Sequence, residues 1–252
     1  MSQDPSLRIN LSYELTPGIR WYLIGWGICW TLGLTLWIAL GYHDSFLVLN
    51  RQHVPWLDVL MPHLTHLGDG YLIGGLLAIW AVRKDKALLV CLLLTMLLLV
   101  LLINNVGKSW LFDGWWRPPL IFGQKGIDIH YITLAGERFK SFPSGHSASA
   151  GAIGFWYVWT LRKKPLWVAL GISFLALLAA YSRVYIGVHF LGDIVVGSMV
   201  GVAVAYGLWR WAYPWLEHRL AQVSQQYDSW IQTLVFLIWL LILYLLIEQH
   251  YL

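Results

Sequence analysis

Long apolar runs separated by short basic turns constrain this chain more than any other feature. Ala87 to Val106 is twenty residues without a formal charge, about the length that crosses a hydrocarbon core as a helix. Apolar residues make up 58% of the 252-residue chain and charged residues 12%, against about 25% charged in soluble domains. The runs therefore read as membrane spans, and residues 1–252 as a single all-α polytopic bundle with no room for a second, soluble domain. The motif-bearing core covers about 87–212. The 17 Trp and 13 Tyr suit the aromatic belts found at membrane interfaces.

Six core spans and a seventh at the C-terminus are expected. The first runs from Arg20 to Gly41, after a polar start that lacks the pattern of a removable signal peptide. Tyr42 to Asp69 is amphipathic and reads as an interfacial helix. Gly70 to Val82 is short for a span, and is expected to borrow its first turns from the segment before it. Ala87 to Val106, His146 to Leu161, Leu166 to Ser182 and Phe190 to Trp211 complete the six, and about 231–247 is the extra C-terminal span. Cys29 and Cys91 both fall inside apolar runs, so they read as small buried residues.

Charge placement gives a direction. Arg83 to Lys86, Arg162 to Lys164, and Arg210 with Arg219 share one side if every span crosses, and the positive-inside rule makes that side cytoplasmic. The formal charge of +4 is thus a matter of topology and not a nucleic-acid footprint. Lys108, Arg117, His146, Arg183 and His189 then all emerge on the outer face.

That convergence carries the chemistry. His189 and Asp193 are four apart, a spacing that puts both on one helix face. A carboxylate holding one imidazole nitrogen as N–H leaves the other with its lone pair for attack. Ser144 is a natural N-cap before an apolar helix, Gly145 permits close backbone approach, and a helix start favours an anion. His146 stands beside that anion. Arg117 and Arg183 offer planar forks and Lys108 a point charge. Taken singly, each residue has a structural explanation: a snorkelling lysine, an interface arginine, a capping histidine, a structural His/Asp pair. Together they equip a phosphate site.

The three stretches resemble the signature of the type 2 phosphatidic acid phosphatase superfamily: K-x6-R-P, P-S-G-H and S-R-x5-H-x3-D. Pro143, Ser144, Gly145 and His146 match the second, and Ser182, Arg183, His189 and Asp193 the third. The first departs, with eight residues between Lys108 and Arg117. The resemblance implies that His189 is the nucleophile, forming a phosphohistidine, with Asp193 orienting it. His146 is the proton donor and later the activator of water, and Lys108, Arg117, Ser144, Gly145 and Arg183 bind phosphate. It implies no cofactor or metal, and a bell-shaped pH profile from the two histidines. The expected partner is a membrane lipid with a phosphate headgroup, such as undecaprenyl diphosphate, phosphatidylglycerol phosphate, phosphatidic acid or a lipid A phosphate. The expected location is the bacterial plasma (inner) membrane, with the site facing the periplasm or exterior. Lys125, Arg138 and Lys140 lie in the connection expected to select the headgroup. A lipid phosphotransferase and a non-catalytic lipid-phosphate binding or transport protein are the alternatives. No sequence feature speaks to oligomeric state.

Overall fold

The computed structural model describes residues 14–132 and 140–221, with residues 230, 233, 234, 236–238, 240 and 241 beyond them. Ten of the seventeen residues of the expected C-terminal span at 231–247 lie outside the described residues, as does Arg138. Among the described residues the secondary structure is helical, apart from a single antiparallel bridge between Trp116 and Lys140.

Helix α1 (Pro17–Asn50) starts where Thr16 caps the Ile19 N–H at 3.4 Å and proline occupies the first turn, a position where its missing N–H costs nothing. The run is broken at Gly41, which has φ +83°, a left-handed conformation that a side chain resists. The expected interfacial helix over 42–69 is therefore three pieces: the end of α1, then α2 (Pro55–Leu64), then a 3-10 turn over Thr65–Gly68. Prolines at the start and inside of α2 account for its short length.

Helix α3 (Gly70–Lys84) does not borrow turns from what precedes it. Asp69 is extended and caps it, accepting the N–H groups of Tyr71 at 2.9 Å and Leu72 at 3.2 Å. Asp85 caps α4 (Lys86–Leu99) in the same way through Leu88 N–H at 2.8 Å. The α4 run continues as a π-helix over Val100–Leu111, so Lys108 stands on a helix and not on a loop. A short α5 (Pro118–Gln124) follows.

Helix α6 (Gly145–Thr160) is the centre of the bundle, with eleven of its sixteen residues buried. It packs most extensively on α8 (Leu191–Gly207) and next on α7 (Leu166–Tyr185). The α6/α8 approach is close because Gly197 and Gly201 face it: a methyl on Gly201 would lie 1.9 Å from the Ala148 carbonyl oxygen. Small residues at such a crossing let helix backbones pack directly. Beyond α8 a π-turn (Leu208–Ala212) leads into α9 (Tyr213–Ala221). The Tyr213 hydroxyl donates to Asp85 at 2.7 Å and ties that end to the α3–α4 junction.

Among the described residues, four stretches are long and apolar enough to cross a membrane: Pro17–Asn50, Lys86–Leu111, Leu166–Tyr185 and Leu191–Ala221. α3 and α6, of 15 and 16 residues, rise about 22 and 24 Å. Of the two cysteines expected to be buried, Cys91 is and Cys29 is exposed on the side of α1.

Candidate active site

The end of α7 builds the nucleophile's position. Tyr185 closes the helix, Ile186 caps it, and Gly187 takes φ +79°, the left-handed residue that commonly ends a helix. The reversed chain folds under the helix end, so that the N–H groups of Val188 and His189 both donate to the Arg183 carbonyl at 3.1 Å. His189 is thereby buried directly ahead of α8.

Asp193, in the first turn of α8, accepts from four donors. His189 Nδ1 lies 2.9 Å from Oδ2, and the Phe190 N–H reaches the same oxygen at 3.0 Å. Ser141 Oγ donates to Oδ2 and the Tyr42 hydroxyl to Oδ1. With a carboxylate at Nδ1, that nitrogen carries the proton and Nε2 carries the lone pair. A carboxylate this fully hydrogen-bonded holds the ring in one orientation, which is what a buried charge needs to be tolerated at all.

The second motif docks onto the third. Ser144 N–H donates to the Asp193 carbonyl at 3.1 Å, and Ser144 Oγ caps α6 through Ser147 N–H at 3.3 Å. His146, in the first turn of α6, sits against Gly68 of the 3-10 turn. Gly145 is not required by packing, since a methyl there would meet only Ile103 Cγ2, at 3.8 Å. Its open side is therefore available to a ligand.

Cations complete the arrangement. Arg183 is 2% exposed and donates through Nη1 to Thr65 Oγ1 at 2.9 Å. Arg117, at the N-cap of α5, donates through Nη1 to the Val188 carbonyl at 3.3 Å. Burial first, then the charge of Arg183, pushes the Arg117 pKa down to about 9. The same causes hold His189 well below the ordinary histidine range: burial, then the charges of Arg117, Arg183 and Lys108 and the ring of His146. The structure thus gathers Lys108, Arg117, Ser144, Gly145, His146, Arg183, His189 and Asp193 in one neighbourhood, from stretches spread over more than eighty positions. Cations packed this closely repel one another, and an anion among them relieves the repulsion.

Comparisons with known proteins give the family. The family profile described as the PAP2 superfamily matches residues 89–217. A curated relative, phosphatidylglycerophosphatase B of Bacillus subtilis, is 30% identical over 175 residues, covering 63% of this chain and 76% of its own. The chain belongs to the PAP2 superfamily. The curated relatives are named as phosphatases. An undecaprenyl-diphosphatase of Sulfolobus acidocaldarius is 26% identical over 165 residues, covering 65% of this chain and 74% of the relative. Among solved structures, LpxE of Aquifex aeolicus superposes with a TM-score of 0.50 at 26% identity, over 66% of this chain and 92% of that one.

The PAP2 match begins at residue 89, so two of the site's contacts come from outside it. Tyr42, on Asp193, and Thr65, on Arg183, reach in from α1 and the 3-10 turn. Sequence reasoning missed both, and missed Ser141 as well. Ser141 lies two residues before Pro143 of the second motif, and that adjacency was the one available signal.

Proposed function

We propose that this PAP2 chain hydrolyses a membrane-lipid phosphate or diphosphate through a phosphohistidine. His189 Nε2 attacks phosphorus while His146 gives a proton to the departing lipid oxygen. His146 then takes a proton from water, which attacks the phosphohistidine, and inorganic phosphate leaves. Asp193 keeps the His189 proton on Nδ1 throughout. Lys108, Arg117, Arg183 and the α6 start at Ser144 and Gly145 hold the phosphoryl oxygens, where charge collects as the group transfers. This cationic enclosure supplies what a metal supplies in other phosphatases, so the reaction is read as metal-independent.

The observation that carries the reading is the 2.9 Å contact between His189 Nδ1 and a carboxylate that also accepts Tyr42, Ser141 and Phe190. A phosphate-binding pocket alone has no use for an imidazole fixed in one tautomer.

Residues 1–252 are taken as one domain, with α1, α3, α4, α6, α7 and α8 as the six core spans and 231–247 as a seventh. Both shorter helices fit this count because each begins or ends in polar turns that extend it to the interface. The distribution of exposed tryptophans supports a bundle that crosses the membrane, while the basic turns give its direction. Trp110 and Trp116 lie toward the site, and Trp167, Trp211 and Trp215 toward the basic turns, as two interfacial belts require. The site then faces outward from the bacterial plasma (inner) membrane, level with a lipid headgroup. Relatives named phosphatidylglycerophosphatase and undecaprenyl-diphosphatase support a glycerophospholipid or polyprenyl substrate.

The test is phosphate release by purified protein in detergent, with chelator present, from a panel of lipid monophosphates and diphosphates. Chelator-resistant release that is lost in His189→Ala is the expected result. Label transferred to a second lipid in place of inorganic phosphate would overturn hydrolysis in favour of transfer.

A further inference from the structure

Three metal-ligating side chains from three separate segments meet outside the phosphate cluster. His53 lies in the link between α1 and α2, Asp58 in the first turn of α2, and His130 in the stretch after α5. One ligand atom from each lies within 4.8 Å of the other two. His130 Nε2 and Asp58 Oδ1 are 3.0 Å apart, close to the spacing of about 3.3 Å between ligands 2.0–2.1 Å from a tetrahedral zinc.

Outer contacts hold two members of this trio in place. Asn50 clamps the His130 backbone, donating Nδ2 to its carbonyl at 2.9 Å and accepting its N–H at 2.9 Å. The Tyr185 hydroxyl donates to Asp58 Oδ1 at 2.7 Å. The tyrosine is a partner of the kind that orients a carboxylate ligand before a metal arrives, and the asparagine fixes where the His130 backbone stands. His53 is the adjustable member. Its ring lies flat on His130, with centroids 4.1 Å apart and planes within 5°. An imidazole binds a metal in its own plane, so the exposed His53 must turn about its side-chain torsions to coordinate with the other two. Two imidazoles and one carboxylate suit Zn2+ better than the all-oxygen sets that Mg2+ and Ca2+ take.

The geometry points to a Zn2+ site made by His53, Asp58 and His130, stapling the stretch after α5 to the α1–α2 link. The staple sits directly on the turn that carries His189. Ile132 N–H donates to the Ile186 carbonyl at 3.1 Å, and a methyl on Gly187 would lie 2.3 Å from the His130 carbonyl oxygen. Zn2+ here contributes no ligand to the phosphate and takes no part in bond making. It stiffens the support beneath the nucleophile.

The experiment uses full-length protein without a polyhistidine tag, purified in detergent, stripped with chelator and titrated with Zn2+. Metal content after gel filtration and unfolding temperature are both read. The expected result is about one tightly held Zn2+ per chain and a raised unfolding temperature. His53→Ala is expected to weaken Zn2+ binding by more than about tenfold, with an unfolding temperature equal to that of stripped wild type. Because His53 is exposed, its loss leaves the fold intact. Co2+ substituted for Zn2+ should give the visible absorption of a tetrahedral site, absent in Asp58→Asn. Equal Zn2+ binding by wild type and His53→Ala, or none by wild type, would overturn the assignment.

Discussion

The Tyr42 hydroxyl donates to the carboxylate of Asp193, 151 positions away in the chain. Ser141 donates to the other oxygen of that carboxylate from just ahead of the second motif. Both hydroxyls act on the nucleophile only through Asp193, as positioning residues. Tyr42→Phe and Ser141→Ala should each lower kcat by about 10-fold or more, the scale of one hydrogen bond to a charged group. KM should stay near the wild-type value. Phosphate-release kinetics over a range of lipid concentration separate the two constants, and a rise in KM with unchanged kcat would remove these residues from the positioning role.

Removing His189 should remove the chemistry while sparing the phosphate cradle. His189→Ala is expected to lose at least about 10³-fold in kcat. Rapid quench of wild type with a phosphorus-labelled lipid into alkaline detergent should trap a label on protein that later acid treatment releases, and the variant should trap none. Label that survives acid, or that persists in the variant, would point to a different nucleophile.

The acid side of the pH profile follows from burial. An ordinary histidine protonates near about 6.5, whereas burial and the surrounding cations hold His189 well below that. Its neutral, attacking form therefore persists into mild acid, and kcat/KM should not begin its acid decline until well under pH 6.5. Stability has a matching sign. Between its folded and unfolded pKa values the unfolded chain binds a proton that the folded chain refuses, so stability falls as pH drops through that window. His189→Asn should flatten the slope of unfolding temperature against pH there.

Two glycines near the site should respond in opposite ways. Gly201→Ala sets a methyl 1.9 Å from the Ala148 oxygen, so α8 must move away from α6. A cost of about 1–3 kcal/mol or more is expected, read as a fall in unfolding temperature. Gly145→Ala meets no protein atom nearer than 3.8 Å, so stability should hold while kcat/KM falls, because the added methyl occupies the anion's side. A stable Gly201→Ala, or a fully active Gly145→Ala, would contradict the respective assignments.

The local sequence was informative where local physics decides. Asp69 and Asp85 start helices because a side-chain oxygen next to an apolar run satisfies its first N–H groups, a local signal that the expectation of borrowed turns before Gly70 overlooked. The His189 and Asp193 pair was legible because four residues make one helical turn. Tyr42 and Thr65 were not legible, since each acts across the bundle through a single hydroxyl and nothing in its own neighbourhood marks it, and Ser141 had only its place beside the second motif. The break at Gly41 coincides with the expected end of the first span, because the run turns amphipathic at Tyr42 and a glycine permits the left-handed turn. Lys108 lies past Val106, where the apolar run ends, yet the backbone keeps helical bonds of the wider kind as far as Leu111.

The bend at Gly41 changes what the first helix is for. By composition, α1 is an anchor, exchangeable for any other apolar stretch of suitable length. Its left-handed residue instead swings Tyr42 inward to Asp193 and sends Asn50 on to grip His130. A hybrid in which a foreign transmembrane helix replaces α1 would thus insert and fold its remaining spans, yet carry a loosened carboxylate. The amino-terminal helix is a moving part's fixed abutment, and its sequence is answerable to catalysis as well as to the lipid.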